Sequence, residues 1–187
     1  MCCCDAWPIN FGSITSDTFT LASASTVTGF DFYTWQYPTD QVLTVDWSIT
    51  SGEFGGTIYG GGTASLSDQF LSVNAYGYDV DKLTASGLNV ALGAETYWLN
   101  LQNAVTEEGN PVYWDENSGV GCKGNNNGKG GGCPTKASEN AVGTIPSEPF
   151  DILGHSTGTT PEPSGMILLG SGVGLAGALR RKLRKPN

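Results

Sequence analysis

Apolar and polar residues alternate one by one through several short segments of this chain, and that period of two restricts its fold more than any other feature. In VLTVDWSIT, the apolar residues Val45, Trp47 and Ile49 alternate with polar ones. In TVTGFDFYTWQY, Phe30 and Phe32 fall on one side of such a pattern. Successive side chains of a strand point to opposite faces, so this alternation is typical of half-buried antiparallel strands.

The same pattern extends over most of the chain, and it favours one fold class. Further strands are indicated by DTFTLAS, TIYGGGTASLS, QFLSVNAYGYDV, ETYWLNLQNAV, PVYWDENS and PFDIL. Glycine-rich joints between them supply the positive-φ positions that turns need, and no segment of this region shows the 3.6-residue stripe of an amphipathic helix. The sequence therefore predicts an all-β body, an antiparallel β-sandwich of jelly-roll-like form.

Charge is distributed unevenly along the chain. Residues 1–160 contain four lysines and seventeen acidic residues. A body this acidic repels nucleic acid, and it has no basic stripe with interleaved aromatic residues, so we expect no nucleic-acid partner. Five of the nine positive residues instead lie within the last eight positions, namely Arg180, Arg181, Lys182, Arg184 and Lys185.

An uncharged apolar segment, GMILLGSGVGLAGAL at residues 165–179, directly precedes this basic cluster. As a helix it would be about 22 Å long, shorter than a hydrocarbon core of about 30 Å. A buried core helix and a peripheral amphipathic helix are therefore alternatives. The basic side chains can reach the lipid headgroups and extend the span, and they keep the C-terminus cytoplasmic. The sequence thus predicts a single membrane helix at 165–179, in contact with lipid, and a basic cytoplasmic tail at 180–187.

The order of motifs in the tail resembles a known sorting signal. Pro161, Glu162 and Pro163 are followed by the short Gly- and Leu-rich segment and then by the basic cluster. This arrangement over residues 161–185 resembles the PEP-CTERM sorting signal of Gram-negative bacteria. The resemblance implies that an exosortase, a membrane-embedded enzyme, recognises the tail, cuts near Pro-Glu-Pro and releases or re-anchors the body at the cell surface.

The resemblance also bears on the body and on where it acts. Segments such as STVTGFDFYTW and SENAVGTIPSEPF resemble the bodies found ahead of such tails. Proteins with this signal are usually encoded beside genes for extracellular polysaccharide and biofilm. The resemblance therefore implies an exported surface protein without enzymatic activity, held transiently in the inner membrane and then associated with exopolysaccharide.

The start of the sequence bears on export as well. MCCCDAWPINFG has neither the basic region nor the apolar region of a secretory signal peptide. Because a sorting tail serves only a protein that reaches the membrane, we expect the true start to lie upstream of Met1. The predicted organisation is an N-terminal segment at 1–14, the body at 15–153 and a Thr-, Gly- and Pro-rich linker at 154–164.

Two of the five cysteines bracket a flexible loop. Cys122 and Cys133 enclose ten residues of CKGNNNGKGGGC, so closing them into a disulfide is sterically easy. An oxidising compartment favours that bond, and free thiols are the alternative. A zinc site is disfavoured because the single histidine, His155, is far along the chain from either cysteine group.

Few residues of the body suggest chemistry of their own. Asp115 and Glu116 could suggest a glycosidase, but neighbours on a strand point to opposite faces, so this pair alone cannot flank one bond. Asp115 would instead have to cooperate with Asp79, Asp81 or Glu95, and no spacing rule supports any of these partners. We therefore predict no catalytic residue, no cofactor and no metal. Carboxylates two apart, as in Asp79-Val80-Asp81, leave calcium as an alternative.

Sugar binding is a stronger alternative than catalysis, because aromatic side chains are frequent in the predicted strands. Their ring faces can stack on sugar rings, although most tryptophans in a sandwich of this size belong to the core. The candidate residues are Trp35, Trp47, Trp98, Trp114, Tyr33, Tyr37, Tyr97 and Tyr113.

Overall fold

The computed structural model describes residues 6–116 and 137–157, and all regular structure within them is β-strand. The strands pair antiparallel, so the predicted all-β antiparallel body is confirmed. The described residues belong to one compact unit, which ends at Thr157. The strands are β1 (Ala6–Pro8), β2 (Ile14–Thr20), β3 (Ser25–Gln36), β4 (Val42–Gly52), β5 (Gly55–Val73), β6 (Asp79–Leu92), β7 (Thr96–Thr106), β8 (Tyr113–Asp115), β9 (Ala137–Glu139), β10 (Gly143–Ile145) and β11 (Phe150–Ser156).

The strands form one sheet that curls on itself. Its order is β1-β8-β3-β6-β5-β4-β7-β2-β9-β10, and β11 pairs with β3. The nineteen-residue strand β5 joins the two halves, because it pairs with β4 up to Ser65 and with β6 from Leu66 onward. The ring centroids of Phe30 on β3 and Trp47 on β4 lie 6.0 Å apart although two strands separate them in the sheet. The two halves therefore face each other across the core.

The core follows the alternation in the sequence. Val45, Trp47 and Ile49 are buried, and so are Phe30 and Phe32, as the period of two predicted. Burying one such side chain contributes about 1.5–3 kcal/mol relative to leaving it in water. These inward faces of β3 and β4 therefore supply much of the stabilisation of the body that residues 6–116 and 137–157 form.

The segment QFLSVNAYGYDV, which the pattern predicts as one strand, is divided in the structure. Its first residues end β5 at Val73, and its last residues begin β6 at Asp79. Between them, the side-chain oxygen of Asn74 accepts hydrogen bonds from the backbone N–H groups of Tyr76 and Tyr78, at 2.9 and 3.0 Å. An asparagine that bonds to the backbone ahead of it makes a tight turn, which reverses the chain here.

The body also extends beyond both predicted boundaries. At the start, β1 pairs with β8, and Ile9 is buried with its backbone bonded to Val112 and Ala104, so part of the predicted N-terminal segment belongs to the core region. At the end, β11 continues to Ser156 within the predicted linker. Gly154 permits this, because a Cβ atom there would lie 2.3 Å from the backbone oxygen of Thr26.

Two predictions about the fold are not decided by the described residues. The jelly-roll-like sandwich stays a prediction beside the observed curled antiparallel sheet. Within residues 6–116 and 137–157, no helix has the length and apolar character required to cross a membrane. The predicted membrane helix at 165–179 and the basic tail at 180–187 lie outside the described residues.

Candidate functional site

The predicted sugar-binding aromatic residues differ in how deeply the structure buries them. Trp47, Tyr97 and Trp114 are buried in the core, where they pack against other core side chains. Trp98 is half-buried on β7. The remaining candidates, Tyr33, Trp35, Tyr37 and Tyr113, are half-buried or exposed. Of these candidates, a binding role is therefore open only to the five that are half-buried or exposed, which include Trp98.

Five aromatic side chains form a continuous cluster on one half of the sheet, which we call the aromatic face. Trp35 lies 5.6 Å from Tyr76 and 6.2 Å from Tyr78, measured between ring centroids, with the Trp35 and Tyr78 rings stacked at 25°. Tyr78 also meets Tyr37 edge-on at 5.3 Å and Tyr113 edge-on at 6.0 Å. Such separations are those of favourable aromatic pairs. Tyr78 therefore contacts three of the other four rings, and Tyr76 joins the cluster through Trp35.

Three structural elements bring four of these rings together, and Tyr37 lies in the loop that follows β3. Trp35 on β3 and Tyr113 on β8 are direct partners across neighbouring antiparallel strands, so their side chains share a face. Tyr76 and Tyr78 come from the turn that follows β5. Sequence analysis missed these two tyrosines because it placed their segment within a strand. The signal was present in Asn74 and in Gly77, whose φ of 84° is a turn conformation that favours glycine.

A charged pair lies on the same sheet face beside the aromatic rings. Asp31, Tyr33 and Trp35 alternate along β3 and therefore point to one side, and Lys82 is the cross-strand partner of Tyr33. The ammonium of Lys82 lies 2.5 Å from the carboxylate of Asp31. Burial acts to raise the pKa of Asp31, but hydrogen bonds from Lys82 and Thr84 and the charge of Lys82 outweigh it, so the pKa is lowered. Asp31 is thus held ionised.

The acidic residues considered for calcium lie elsewhere in the sheet. Asp81 is buried and accepts a hydrogen bond from the side-chain amide of Gln36, which also donates to Asp68 at 3.1 Å. Burial, together with the negative charges of Asp68 and Asp79, raises the pKa of Asp81 to about 7. In the part of the chain that the structure describes, no group of three or more histidine, cysteine, aspartate or glutamate residues is arranged to hold a metal ion.

The carboxylates considered for catalysis, Asp115 and Glu116, lie near a different group of acidic residues from Asp68, Asp79 and Asp81. Asp115 ends β8, and Glu116 follows it. Burial raises the pKa of Glu148 well above its usual value, and the charges of Asp17, Glu116 and Asp115 add to that effect. Asp115 and Glu116 thus act electrostatically on Glu148, a residue that the sequence did not single out.

A groove of about 300 Å³ near the start of the body is a weaker candidate for a binding site. Its lining includes the side chains of Asn10, Asn103 and Asn110. Each of these amides already donates a hydrogen bond within the fold, to the backbone of Asn110, to Asp46 and to Asp40 respectively. The groove's amide groups therefore hold the loops together, and the aromatic face is the stronger candidate site.

Comparison with known proteins identifies the segment that follows the body. A family model described as the PEP-CTERM protein-sorting motif matches residues 159–185. The chain carries a PEP-CTERM sorting motif. No curated protein sequence matches the chain. The PEP-CTERM match begins three residues after β11 ends at Ser156 and covers the segment in which the sequence alone showed the resemblance.

The PEP-CTERM motif indicates an exported protein that an exosortase processes and that is sorted through the membrane. Its Pro161, Glu162 and Pro163 and its basic residues Arg180, Arg181, Lys182, Arg184 and Lys185 lie outside the residues that the structure describes. The same is true of Cys122 and Cys133, so their disulfide stays a prediction.

Proposed function

We propose that this chain is a non-enzymatic surface protein whose body is exported and whose tail is held in the inner membrane until an exosortase processes it. The body then associates with extracellular polysaccharide or the biofilm matrix. One observation carries this proposal: the sorting motif at residues 159–185 directly follows the last strand of a folded β-sheet body. The two parts thus have separate roles, one in sorting and one outside the cell.

The chemistry of the tail supports recognition at Pro-Glu-Pro. Proline disfavours helix and favours extended backbone, so from the sequence we expect the two prolines to suit Glu162 for recognition by an enzyme. The apolar segment at 165–179 follows, and the basic residues beyond it favour the cytoplasmic side of the membrane. This order of segments is the one expected if an enzyme in the membrane recognises Pro-Glu-Pro on the exported side.

The arrangement of the body supports a role without catalysis. Buried or partnered acidic groups are common in it, but they serve the fold: Asp17 accepts hydrogen bonds from the side chain of Ser147 and the backbone of Glu148. Asp46 accepts from Thr63 and Asn103. A β-sandwich glycosidase centred on Asp115 is the remaining enzymatic alternative. Glycan hydrolysis by the purified protein that disappears in Asp115→Asn would favour that alternative over our proposal.

A carbohydrate-binding module is the second candidate function, and the aromatic face favours it. Half-buried rings backed by a rigid sheet are a common way to hold a sugar. The sorting role holds whether or not the body itself binds glycan, whereas a carbohydrate-binding module requires direct binding. Binding of purified protein to a glycan array tests this second function, which the first can include.

The sorting role is tested by two truncations in a host that has an exosortase. Ending the chain after Thr160 removes the Pro-Glu-Pro segment and everything after it, whereas ending it after Lys185 removes only Pro186 and Asn187, which lie outside the matched segment. Both versions receive the same cleavable leader. We expect the longer version to be processed and to reach the surface, and the shorter version to fail in both. The same destination for the two versions would contradict the sorting role.

A further inference from the structure

We infer that the aromatic face binds an uncharged polysaccharide chain. This inference rests on the proposed function, because an exported body is what brings the face into contact with extracellular polysaccharide. It goes further by assigning the contact to named side chains and by specifying the chemical class of the glycan.

Two rings of the aromatic face are available to a ligand. The side chain of Tyr76 is 61% exposed and that of Tyr37 is 40% exposed. Sugar rings present faces of C–H groups with partial positive charge, which pack on the electron-rich face of an aromatic ring. Tyr37 and Tyr76 can therefore each pack against one sugar unit, and they belong to one cluster through their contacts with Tyr78 and Trp35.

The remaining rings hold these two in place. Trp35 is fixed by its pairing with Tyr113 across β3 and β8. Tyr78 is fixed by the turn in which its backbone N–H bonds to the side chain of Asn74, and the first residue of β6, Asp79, follows it directly. A tyrosine has few rotatable bonds, and a site that is ordered before binding loses little conformational entropy when the ligand arrives. The aromatic face is thus preorganised for a ligand.

Polar groups at the margin of the face can bond to sugar hydroxyls. The phenol hydroxyls of Tyr37 and Tyr76 can each donate to and accept from sugar hydroxyls. The Asp31–Lys82 pair lies further along the same side of β3. A few polar groups around an apolar surface are what fixes a ligand's orientation. Sugar hydroxyls can accept from Lys82, whose side chain is 29% exposed, whereas the Asp31 side chain is only 9% exposed and holds Lys82 in place.

Charge decides which class of glycan fits. Lys82 is the one lysine or arginine within residues 6–116 and 137–157, and it is already paired with Asp31. Asp151 on β11 is the cross-strand partner of Asp31, so its exposed carboxylate adds negative charge on the same side of β3. Uronic-acid or sulfated polymers, and nucleic acid strands that could stack on the same rings, would therefore be repelled. A neutral polymer avoids this repulsion.

The test uses the full chain, purified in mild detergent, in native gels that contain a soluble polysaccharide. Mixed-linkage β-glucan and galactomannan serve as neutral probes, and alginate and hyaluronate serve as acidic ones. We expect retardation by at least one neutral polymer and none by the acidic pair. Tyr37→Ala and Tyr76→Ala should each weaken the interaction about threefold to tenfold, in line with the energy of one ring contact.

Tyr59→Ala is the matched control. Tyr59 is as exposed as Tyr37, at 40%, and it also makes an edge-on ring contact, with Tyr97 at 5.1 Å, but it lies on β5 outside the aromatic face. Its loss should leave retardation unchanged. Failure of every neutral polymer to retard the protein, stronger retardation by an acidic one, or equal effects of the three substitutions would overturn the inference. The truncation experiment is independent of these rings, so it distinguishes failure here from failure of the sorting role.

Discussion

The side-chain amide of Gln36 donates a hydrogen bond to the carboxylate of Asp81, and both side chains are buried at the end of the sheet where β3 pairs with β6. A second carboxylate, that of Asp68, accepts from the same amide at 3.1 Å. Burial raises the pKa of both carboxyl groups, that of Asp81 to about 7. Two acids thus share one neutral donor, and the arrangement ties the stability of the body to pH.

Stability should fall as pH rises from 5 to 8. An unfolded aspartate has a pKa near 3.8, so up to about pH 7 folded Asp81 holds a proton that the unfolded chain has released. Each proton of difference lowers the free energy of unfolding by about 1.4 kcal/mol per pH unit. Aspartates with lowered pKa values, such as Asp31 and Asp40, are ionised in both states above pH 5 and do not oppose this trend. Thermal unfolding at several pH values measures it.

Asp81→Asn should reduce that pH dependence. The asparagine side chain keeps an oxygen that can accept the Gln36 hydrogen bond, but it has no charge to bury, so the variant should be more stable than the natural chain at pH 8. Asp151→Asn is the control, since Asp151 is an exposed carboxylate on β11. A slope between pH 5 and 8 that is the same in both variants would show that Asp81 is not the group responsible.

Removing the carboxylate of Glu148 and removing that of Asp17 should change the stability of the body in opposite directions. Both carboxylate oxygens of Glu148 are buried without a hydrogen-bond partner among the described residues, and burial raises its pKa. Glu148→Gln should therefore stabilise the body at neutral pH. Asp17 accepts bonds from Ser147 and from the backbone of Glu148, so Asp17→Ala should destabilise it by about 1–3 kcal/mol. Urea unfolding at pH 7 compares the two; destabilisation by both would contradict the assignment for Glu148.

The sequence predicted the strands that carry strong alternation and missed those that do not. Val45, Trp47 and Ile49 repeat with a period of two, and the structure buries all three. Strand β6 reads DVDKLTASGLNVAL, in which the buried Asp81 and small residues weaken the pattern, and its register with β3 shifts between Val27 and Gly29. A strand whose inward positions include the carboxylate of Asp81 and the small Ala85 cannot be recognised from hydrophobic periodicity alone.

The aromatic face could be predicted only in part. Trp35, Tyr37 and Tyr113 were candidates for sugar binding from the sequence alone, but Trp47 and Trp114 were candidates on the same grounds. Which tryptophan is buried depends on how the two halves of the sheet face each other, and that is a tertiary property. Tyr76 and Tyr78 join the cluster because a turn reverses the chain beside β3, and local pattern does not reveal the strand that will lie next to a turn.

Gly29 should be intolerant of any side chain. A Cβ atom at this position would lie 2.3 Å from the backbone oxygen of Ala85, where the register of β3 against β6 shifts. Because backbone cannot move aside without breaking the pairing, Gly29→Ala should lower the free energy of unfolding by about 3 kcal/mol. Gly55→Ala is the matched control, since a Cβ there meets nothing within 4 Å. Chemical denaturation measures both, and equal losses would show that the close approach at Gly29 is not the cause.

The hydrogen bonds of Asn74 should stabilise both the turn and the order of the aromatic face. Its side-chain oxygen accepts from the backbone of Tyr76 and Tyr78, so Asn74→Ala removes two hydrogen bonds and should destabilise the body by about 1–3 kcal/mol. The turn would loosen, and the contacts of Tyr78 and Tyr76 with Trp35 would loosen with it. We expect a weaker near-ultraviolet circular dichroism signal and weaker retardation by neutral polysaccharide. Asn74→Asp keeps the accepting oxygen and should restore both. If Asn74→Ala lowered stability but left the aromatic signal and glycan binding intact, the turn would not be what orders the face.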